Sequence, residues 1–520
     1  MKKLLFLLLF VPMVSFGQQS ANELFNSGIA KYDLEDYQGA IPGYTKSIEL
    51  DPGSRSVGVS FKNAYVIKNI NVVDPIQGLQ KNKTVVIGEN KIIVIYDASI
   101  LDLSNNNLVY DASGKYLIPG LWDSHVHYAY DEDFTDHMSN LFLAHGITSV
   151  RDTGGEIKLL KGIKDKALKD PKNNPRIMIS GPLIDGKFNV YDGNSPKFPP
   201  LSIQTSNTQH LIEQVNALIE QDVDFLKAYE MLTPLQFETL ANIAKENDLK
   251  LTGHVPLSMD VSTASDLGLN SMEHFRNLEL STSLNFEELW VERTSLLKNK
   301  LNLIGSSLRR SIHQKQRMKA IYTSDSTKLK AVVAVLKKND TWQIPTLALY
   351  QNYARRNYQS PSYLEKFKVI PEVIETRWRE KIKQSSTDPN IEMENYTDWS
   401  KSIMEYMHKE GIQFMAGTDT PIGYLIPGLS LHQELVFMSD SNLSNLELLK
   451  AATYNPAKYF NLQDSLGRIL PGHIADLIIL DQNPLEEIKN TEYIYAVIKD
   501  GNYMSRNHLD SLLQRENSSN

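Results

Sequence analysis

The chain has 520 residues, enough for one large core with accessory pieces or for two or three domains. Its formal charge of −8, with basic residues scattered in ones and twos, argues against nucleic acid as a partner. With no cysteine, it can carry neither a disulfide nor a lipid on a lipobox cysteine.

Lys2 and Lys3 precede an apolar run from Leu4 to Phe10, and the small residues Ser15 and Gly17 follow at cleavage-site spacing. Residues 1–17 are therefore expected to be a secretory signal peptide. The run is too short for a bilayer about 30 Å thick, which takes roughly 20 residues, so no stable membrane anchor is expected. The mature chain, at −10 once the two lysines leave, should be exported, periplasmic or secreted, and soluble.

Residues 21–52 carry Gly28, Tyr32, Tyr37, Ala40 and Tyr44 and close on Pro52. This pattern is similar to one tetratricopeptide (TPR) repeat, a hairpin of two helices with small residues where they touch. About three repeats are needed to bury such faces, so the hairpin is expected to dock on its own chain or on a protein partner.

Residues 58–118 turn to short β-rich runs at 65–70, 84–87 and 91–96, and 462–506 holds two more at 475–480 and 494–499, all bounded by Gly, Asn or Asp turns. Both chain ends are expected to build one small β-sandwich. Between them, eight apolar runs alternate with helical patterns, at 117–127, 147–153, 176–181, 223–229, 250–255, 270–274, 342–349 and 412–419. Alternating βα units predict parallel strands, and eight of them a (β/α)8 TIM barrel over 119–461, with catalytic groups at the C-terminal strand ends. A helical insertion at about 280–341 and a second helical stretch over 362–409 read either as a lid over the pocket or as solvated decoration.

The chemistry gathers at those strand ends. His125 and His127 stand at i and i+2, on one face of the first strand. Lys227 ends the fourth strand, His254 the fifth, His274 the sixth and Asp419 the eighth. Imidazole and carboxylate are the usual ligands of zinc in sites that leave positions open for water and substrate.

With Pro119-Gly120-Leu121-Trp122-Asp123 before the histidines, TSVRDTGG at 148–155, AGTDTP at 416–421 and a C-terminal run containing Asn455-Pro456-Ala457 and Ala475-Asp476-Leu477, the sequence resembles the amidohydrolase superfamily over 58–505, in particular its imidazolonepropionase-like and Xaa-Pro dipeptidase-like branch. The front repeat and the enlarged middle depart from that pattern. The resemblance implies a hydrolase of carbon–nitrogen bonds in a small amide or dipeptide. It implies two divalent cations, zinc favoured: His125 and His127 with Asp419 on one, His254 and His274 on the other, and a carboxylated Lys227 bridging them. The alternative for Lys227 is an ion pair with a nearby acid.

In such a centre a bridging water gives up a proton near neutral pH, Asp419 can accept it, and the amine departs protonated. Tyr229, two residues beyond Lys227, faces the same way and either donates to an oxyanion or fills core. Arg151 and Asp152 read as an internal ion pair, and His145 and His432 as structural. Two other functions stay open: a one-metal deaminase of cyclic amidines or hydrolase of imidazolone rings, and a non-catalytic scaffold that recruits partners through the hairpin.

Overall fold

The computed structural model describes residues 20–33, 43, 46–47, 50–51, 64–97, 108–195, 197–299 and 304–515. The expected signal peptide at 1–17 lies outside the described residues. Within 21–52 a helix spans Ala21–Asp33. Gly43 packs so tightly on it that a Cβ would stand 2.7 Å from the Leu24 carbonyl oxygen and 3.0 Å from the Gly28 nitrogen, so only glycine fits. Among the described residues no helix is long and apolar enough to cross a membrane.

The first strands are β1 (Ala64–Asp74), β2 (Gly78–Gly88), β3 (Lys91–Asp97), β4 (Leu108–Asp111) and β5 (Tyr116–Pro119). Then come β6 (Leu121–Val126), β7 (Ile147–Asp152), β8 (Arg176–Ile179), β9 (Leu183–Asp185) and β10 (Ser202–Gln204). They are followed by β11 (Phe225–Ala228), β12 (Lys250–Gly253), β13 (Ser271–Glu273) and β14 (Trp342–Ile344). β15 (Leu477–Leu480), β16 (Ile494–Lys499) and β17 (Asn502–Ser505) lie near the C-terminus.

Strands from both chain ends share one eight-stranded sheet, ordered β17-β16-β15-β5-β1-β2-β3, with β4 paired to β1. Its β-branched residues, Ile67, Val72, Val85, Ile87 and Ile479 among them, seal an apolar core of their own together with Leu477. The middle of the chain is an α/β fold with parallel sheets. One runs β6-β7-β8 and the other β10-β9-β11-β12-β13-β14, every neighbouring pair parallel.

Helices cover the links between these strands. Pro234–Glu246, between β11 and β12, starts on a capping box in which the Thr233 hydroxyl accepts from the Gln236 amide and the Gln236 side chain accepts from that of Thr233. Between β13 and β14 stand Phe286–Lys298, Gly305–Tyr322 and Ser326–Lys338, and between β14 and β15 the longest helix is Ile391–Lys409.

Two runs differ from the sequence expectation. The run at 117–127 is cut at Gly120, β5 joining the eight-stranded sheet and β6 the parallel one. A Cβ at Gly120 would meet the Thr148 hydroxyl at 2.2 Å, so only glycine allows the crossing. The run at 412–419 makes isolated parallel bridges rather than a continuous ladder: Gln343 with Phe414, and Val126 with Thr420. Asp419, at φ 69°, turns the chain out of the extended region between them. Segment 412–420 thus touches β14 on one side and β6 on the other.

Candidate metal centre

Six side chains singled out by sequence border a single inner cavity of about 30 Å³: His125, His127, Lys227, His254, His274 and Asp419. They arrive from the ends of β6, β11, β12 and β13 and from segment 412–420. The tightest group is His125, His127 and Asp419, each offering an atom within 4.8 Å of the others. Asp419 Oδ1 lies 3.1 Å from His127 Nε2 and 3.3 Å from His125 Nε2, and its Oδ2 lies 3.8 Å from His274 Nε2. His274 sits between its neighbours, tilted against the His125 ring at 4.7 Å and edge-on to the His254 ring at 4.8 Å.

Each imidazole is tied from behind through Nδ1. His125 Nδ1 lies 2.6 Å from Glu273, His127 Nδ1 3.0 Å from the Gly154 carbonyl, His254 Nδ1 2.7 Å from Glu230, and His274 Nδ1 2.6 Å from the Thr346 hydroxyl. A fixed Nδ1 contact sets the ring orientation and leaves Nε2 to face the cavity, which is how metal-ligating histidines are held.

Lys227 is buried, and its Nζ has no hydrogen-bond partner among the described residues. No ion pair among the described residues includes this amine, although Glu273, Asp419 and Asp152 act on it electrostatically. His274 and Asp419 both sit at positive φ, 61° and 69°. Such backbone in non-glycine residues is costly and gathers where a site needs a particular side-chain direction. Gly253, at φ 146°, lets β12 approach β11 so closely that a Cβ would stand 2.2 Å from the Ala228 oxygen, bringing His254 beside Lys227's strand.

Protonation follows burial and neighbours. Burial pulls His254 down to about 3 in spite of Glu230, and it holds His274 well below the usual imidazole range. Both are neutral, with a free lone pair at Nε2. Burial also works against charge on Asp419, but His125 and His274 outweigh it and keep this carboxyl far below the usual carboxylate range. Lys227 is drawn down to about 8, first by burial, with Glu273 opposing.

Tyr229 is buried on the cavity wall, its ring 4.4 Å from that of His254. His145 and His432 stand elsewhere: His432 Nε2 lies 3.0 Å from the His145 carbonyl and its Nδ1 2.9 Å from Thr491. Arg151 does not pair with Asp152. It gives Nη2 to Glu273 at 2.7 Å, while Asp152 accepts the backbone amides of Tyr128 and Gly154. Successive strand residues face opposite ways, so the two could not meet within β7.

Sequence reasoning passed over Glu230, Glu273, Arg276, Arg309 and His313. Glu230 accepts from Arg309 Nε at 2.9 Å and lies 2.9 Å from His313 Nε2 as well as against His254. Arg309 and His313 come from the inserted helix Gly305–Tyr322. The available signal was adjacency, since Glu230 lies three residues beyond Lys227 and Glu273 directly precedes His274. Above the inner cavity opens a larger one of about 390 Å³, which shares Tyr191, Arg276, Arg309 and Asp419 with it.

Comparison with known proteins places this geometry in a family context. Residues 400–504 match the Amidohydrolase family model. An adenine deaminase of Clostridium perfringens is 24% identical over 203 residues, which is 37% of this chain and 33% of that protein. The chain thus spans about a third of that relative. A dihydroorotase of Clostridioides difficile is 25% identical over 444 residues, covering 81% of this chain and 91% of that protein. Among solved structures, a Xaa-Pro dipeptidase with methionine bound in its active site superposes with a TM-score of 0.61 at 17% identity, over 85% of this chain and 100% of that one. At that identity the likeness is one of fold.

Proposed function

We propose, from the premise that this chain belongs to the amidohydrolase superfamily, that it is a metal-dependent hydrolase of carbon–nitrogen bonds in small amides or dipeptides. The observation that carries the reading is the convergence on Asp419 of imidazole nitrogens whose far sides are all tied down.

The donor set fits divalent cations: imidazoles, those of His254 and His274 kept neutral by burial, an ionised carboxylate, and a buried amine without a hydrogen-bond partner. We assign His125, His127 and Asp419 to one cation, His254 and His274 to a second, and a carboxylated Lys227 to the bridge, with zinc as the favoured metal. When bound, the cations supply a water acidic enough to deprotonate near pH 7 and a Lewis acid for the scissile carbonyl. Asp419 accepts the proton of the attacking water and returns it to the leaving nitrogen. Tyr229, packed on His254, donates its hydroxyl to the developing oxyanion. Glu230, Glu273, Thr346 and the Gly154 carbonyl hold the rings in register.

The wider architecture proposed with this site is a closed (β/α)8 barrel over 119–461, which the bridges of segment 412–420 to both parallel sheets support. A small β-sandwich of both chain ends, a TPR-like hairpin at 21–52 docked on its own chain or on a partner, and export by a signal peptide complete it. The Gly43 approach to Gly28 supports the hairpin.

A second reading, one-metal deamination of a cyclic amidine, draws on the compact triple of His125, His127 and Asp419 and on the adenine deaminase match. Metal analysis of the purified protein, with a hydrolysis screen of dipeptides, N-acyl amino acids and cyclic amidines, separates the two. Near two metals per chain, and loss of metal and of amide hydrolysis together in Lys227→Ala, is the expected result. One metal retained in Lys227→Ala, with ammonia released from an amidine, would replace this reading by the second.

A further inference from the structure

After β14 the chain enters the helix Leu347–Arg355, whose N-cap residue is Thr346. The first amides of a helix have no partner within it, and a threonine at the N-cap ordinarily accepts one of them on its own hydroxyl. Helices Pro234–Glu246 and Ser326–Lys338 are closed in that local way, by Thr233 and Asp325. Thr346 makes no cap bond. Its backbone is left-handed, at φ 49° and ψ 47°, a conformation that a β-branched residue rarely adopts and that an N-cap does not require. Its hydroxyl stands instead 2.6 Å from His274 Nδ1.

The cap comes from elsewhere. Glu434, in helix Leu429–Ser439, accepts the Leu347 amide on Oε1 at 2.9 Å and the Ala348 amide on Oε2 at 2.6 Å. Thr346, Leu347, Ala348 and Glu434 are all fully buried, so without that carboxyl both amides would be enclosed and unsatisfied. A strained backbone of this kind persists only where its surroundings fix it, and the two bonds from Glu434 fix the residues directly after Thr346. Among the described residues, the Thr346 contact is the only hydrogen bond on the His274 ring, since the Tyr396 hydroxyl goes to the His274 carbonyl. That contact therefore sets which ring nitrogen carries the proton and which faces the cavity.

We propose that Glu434 is a positioning residue for the metal centre: it closes the helix Leu347–Arg355 from outside, so that Thr346 can hold the His274 ring with Nε2 toward the cavity. This role rests on the assignment of His274 to a cation made above. Glu434 bonds none of the candidate ligands and acts through Thr346 alone, from a helix that follows the segment carrying Asp419.

Two readouts on the full chain test this, one of them independent of metal. In metal-free protein with isotope-labelled histidine, NMR near pH 7 should show the His274 ring, identified through His274→Gln, as one neutral tautomer with its proton on Nδ1. Glu434→Leu leaves both amides without an acceptor and Thr346→Val leaves Nδ1 without one, and each should give a mixture of tautomers. Zinc affinity from chelator competition should fall by about 10- to 100-fold at one of the two sites in either variant. The double variant should fall no further, because both substitutions break one chain of contacts. Thr346→Ser, which keeps the hydroxyl, should restore the parent spectrum. Thermal melts report folding, and should Glu434→Leu fail to fold, Glu434→Gln, which keeps one acceptor, should show the same mixing to a smaller extent. A folded Glu434 variant that melts lower yet keeps the single tautomer and the parent zinc affinity makes Glu434 a helix cap only and overturns the role, as do effects of Glu434→Leu and Thr346→Val that add. Tautomer mixing in Glu434→Leu when the parent binds no zinc upholds the hold on His274 and counts against the metal-dependent reading.

Discussion

Behind the imidazoles, Arg151 gives Nη2 to Glu273 at 2.7 Å, Nε to the Ser124 carbonyl at 2.5 Å, and Nη1 to Ser271 and Thr252 at 3.3 and 3.4 Å. At the cavity border Arg276 has an enclosed Nε with no acceptor. Arg151 is held by Glu273, the carboxylate on His125, and Arg276 lines the cavity that the histidines face. The first is ion-paired within the chain and the second has no ion pair among the described residues, and a buried charge costs several kcal/mol unless something neutralises it. Where the chain supplies the counter-charge, the group holds structure.

The sharpest break of that contrast is at Glu273. Glu273→Leu leaves Arg151 enclosed without its carboxylate, and chemical denaturation of the metal-free protein should show a loss of about 3–5 kcal/mol. Arg151→Met combined with Glu273→Leu removes both charges and should recover most of that loss. By the same logic Arg276→Met, which removes a guanidinium with no ion pair among the described residues and an Nε without an acceptor, should cost less stability than Glu273→Leu. A Glu273→Leu cost below about 1 kcal/mol would mean that water reaches Arg151, and the contrast would fail.

Much of the site was legible because ligand-type residues sit at the ends of apolar runs, as His125, His254, His274 and Asp419 do. What surrounds them was not. Glu273 reaches across 148 positions to His125, and Glu230 across 83 to His313, and no local spacing records which strand end a carboxylate will face. The Arg151–Asp152 pairing could have been rejected from strand alternation alone. The last apolar run was harder, since a positive φ at Asp419 replaces a ladder by two single bridges, and hydropathy does not report φ. The cut at Gly120 is set by the Thr148 side chain, 28 residues on, and is invisible in the run itself.

Glu434 tests the same rule with the opposite sign. It is buried, accepts the Leu347 and Ala348 amides at 2.9 and 2.6 Å, and has no ion pair among the described residues. Burial pushes it up from 4.5 to about 8. Between those values the folded chain keeps a proton that the unfolded chain releases, so this group's contribution to stability falls as pH rises from about 4.5 to 8. The slope is at most about 1.4 kcal/mol per pH unit. Denaturation midpoints across that window should decline with pH in the parent and less steeply in Glu434→Gln. Parallel profiles for the two proteins would show Glu434 ionised in the fold and neutralised by something other than two amides.

The smallest effect is expected where the two regions meet, at Glu230, which lies against His254 on one side and Arg309 and His313 on the other. It is held well below the usual carboxylate range because Arg309 and His313 outweigh the cost of its burial. Glu230→Gln keeps the shape and removes the charge. It weakens the hold on the His254 ring and frees the Arg309 side chain together. A partner of this kind behind a ligating histidine is worth about 10- to 100-fold in metal affinity, so zinc affinity measured by chelator competition should fall by that factor. If Glu230→Gln leaves zinc affinity unchanged, the His254 ring is oriented by its packing on Tyr229 and His274 rather than by this carboxylate, and the Glu230 charge serves Arg309 and His313 alone.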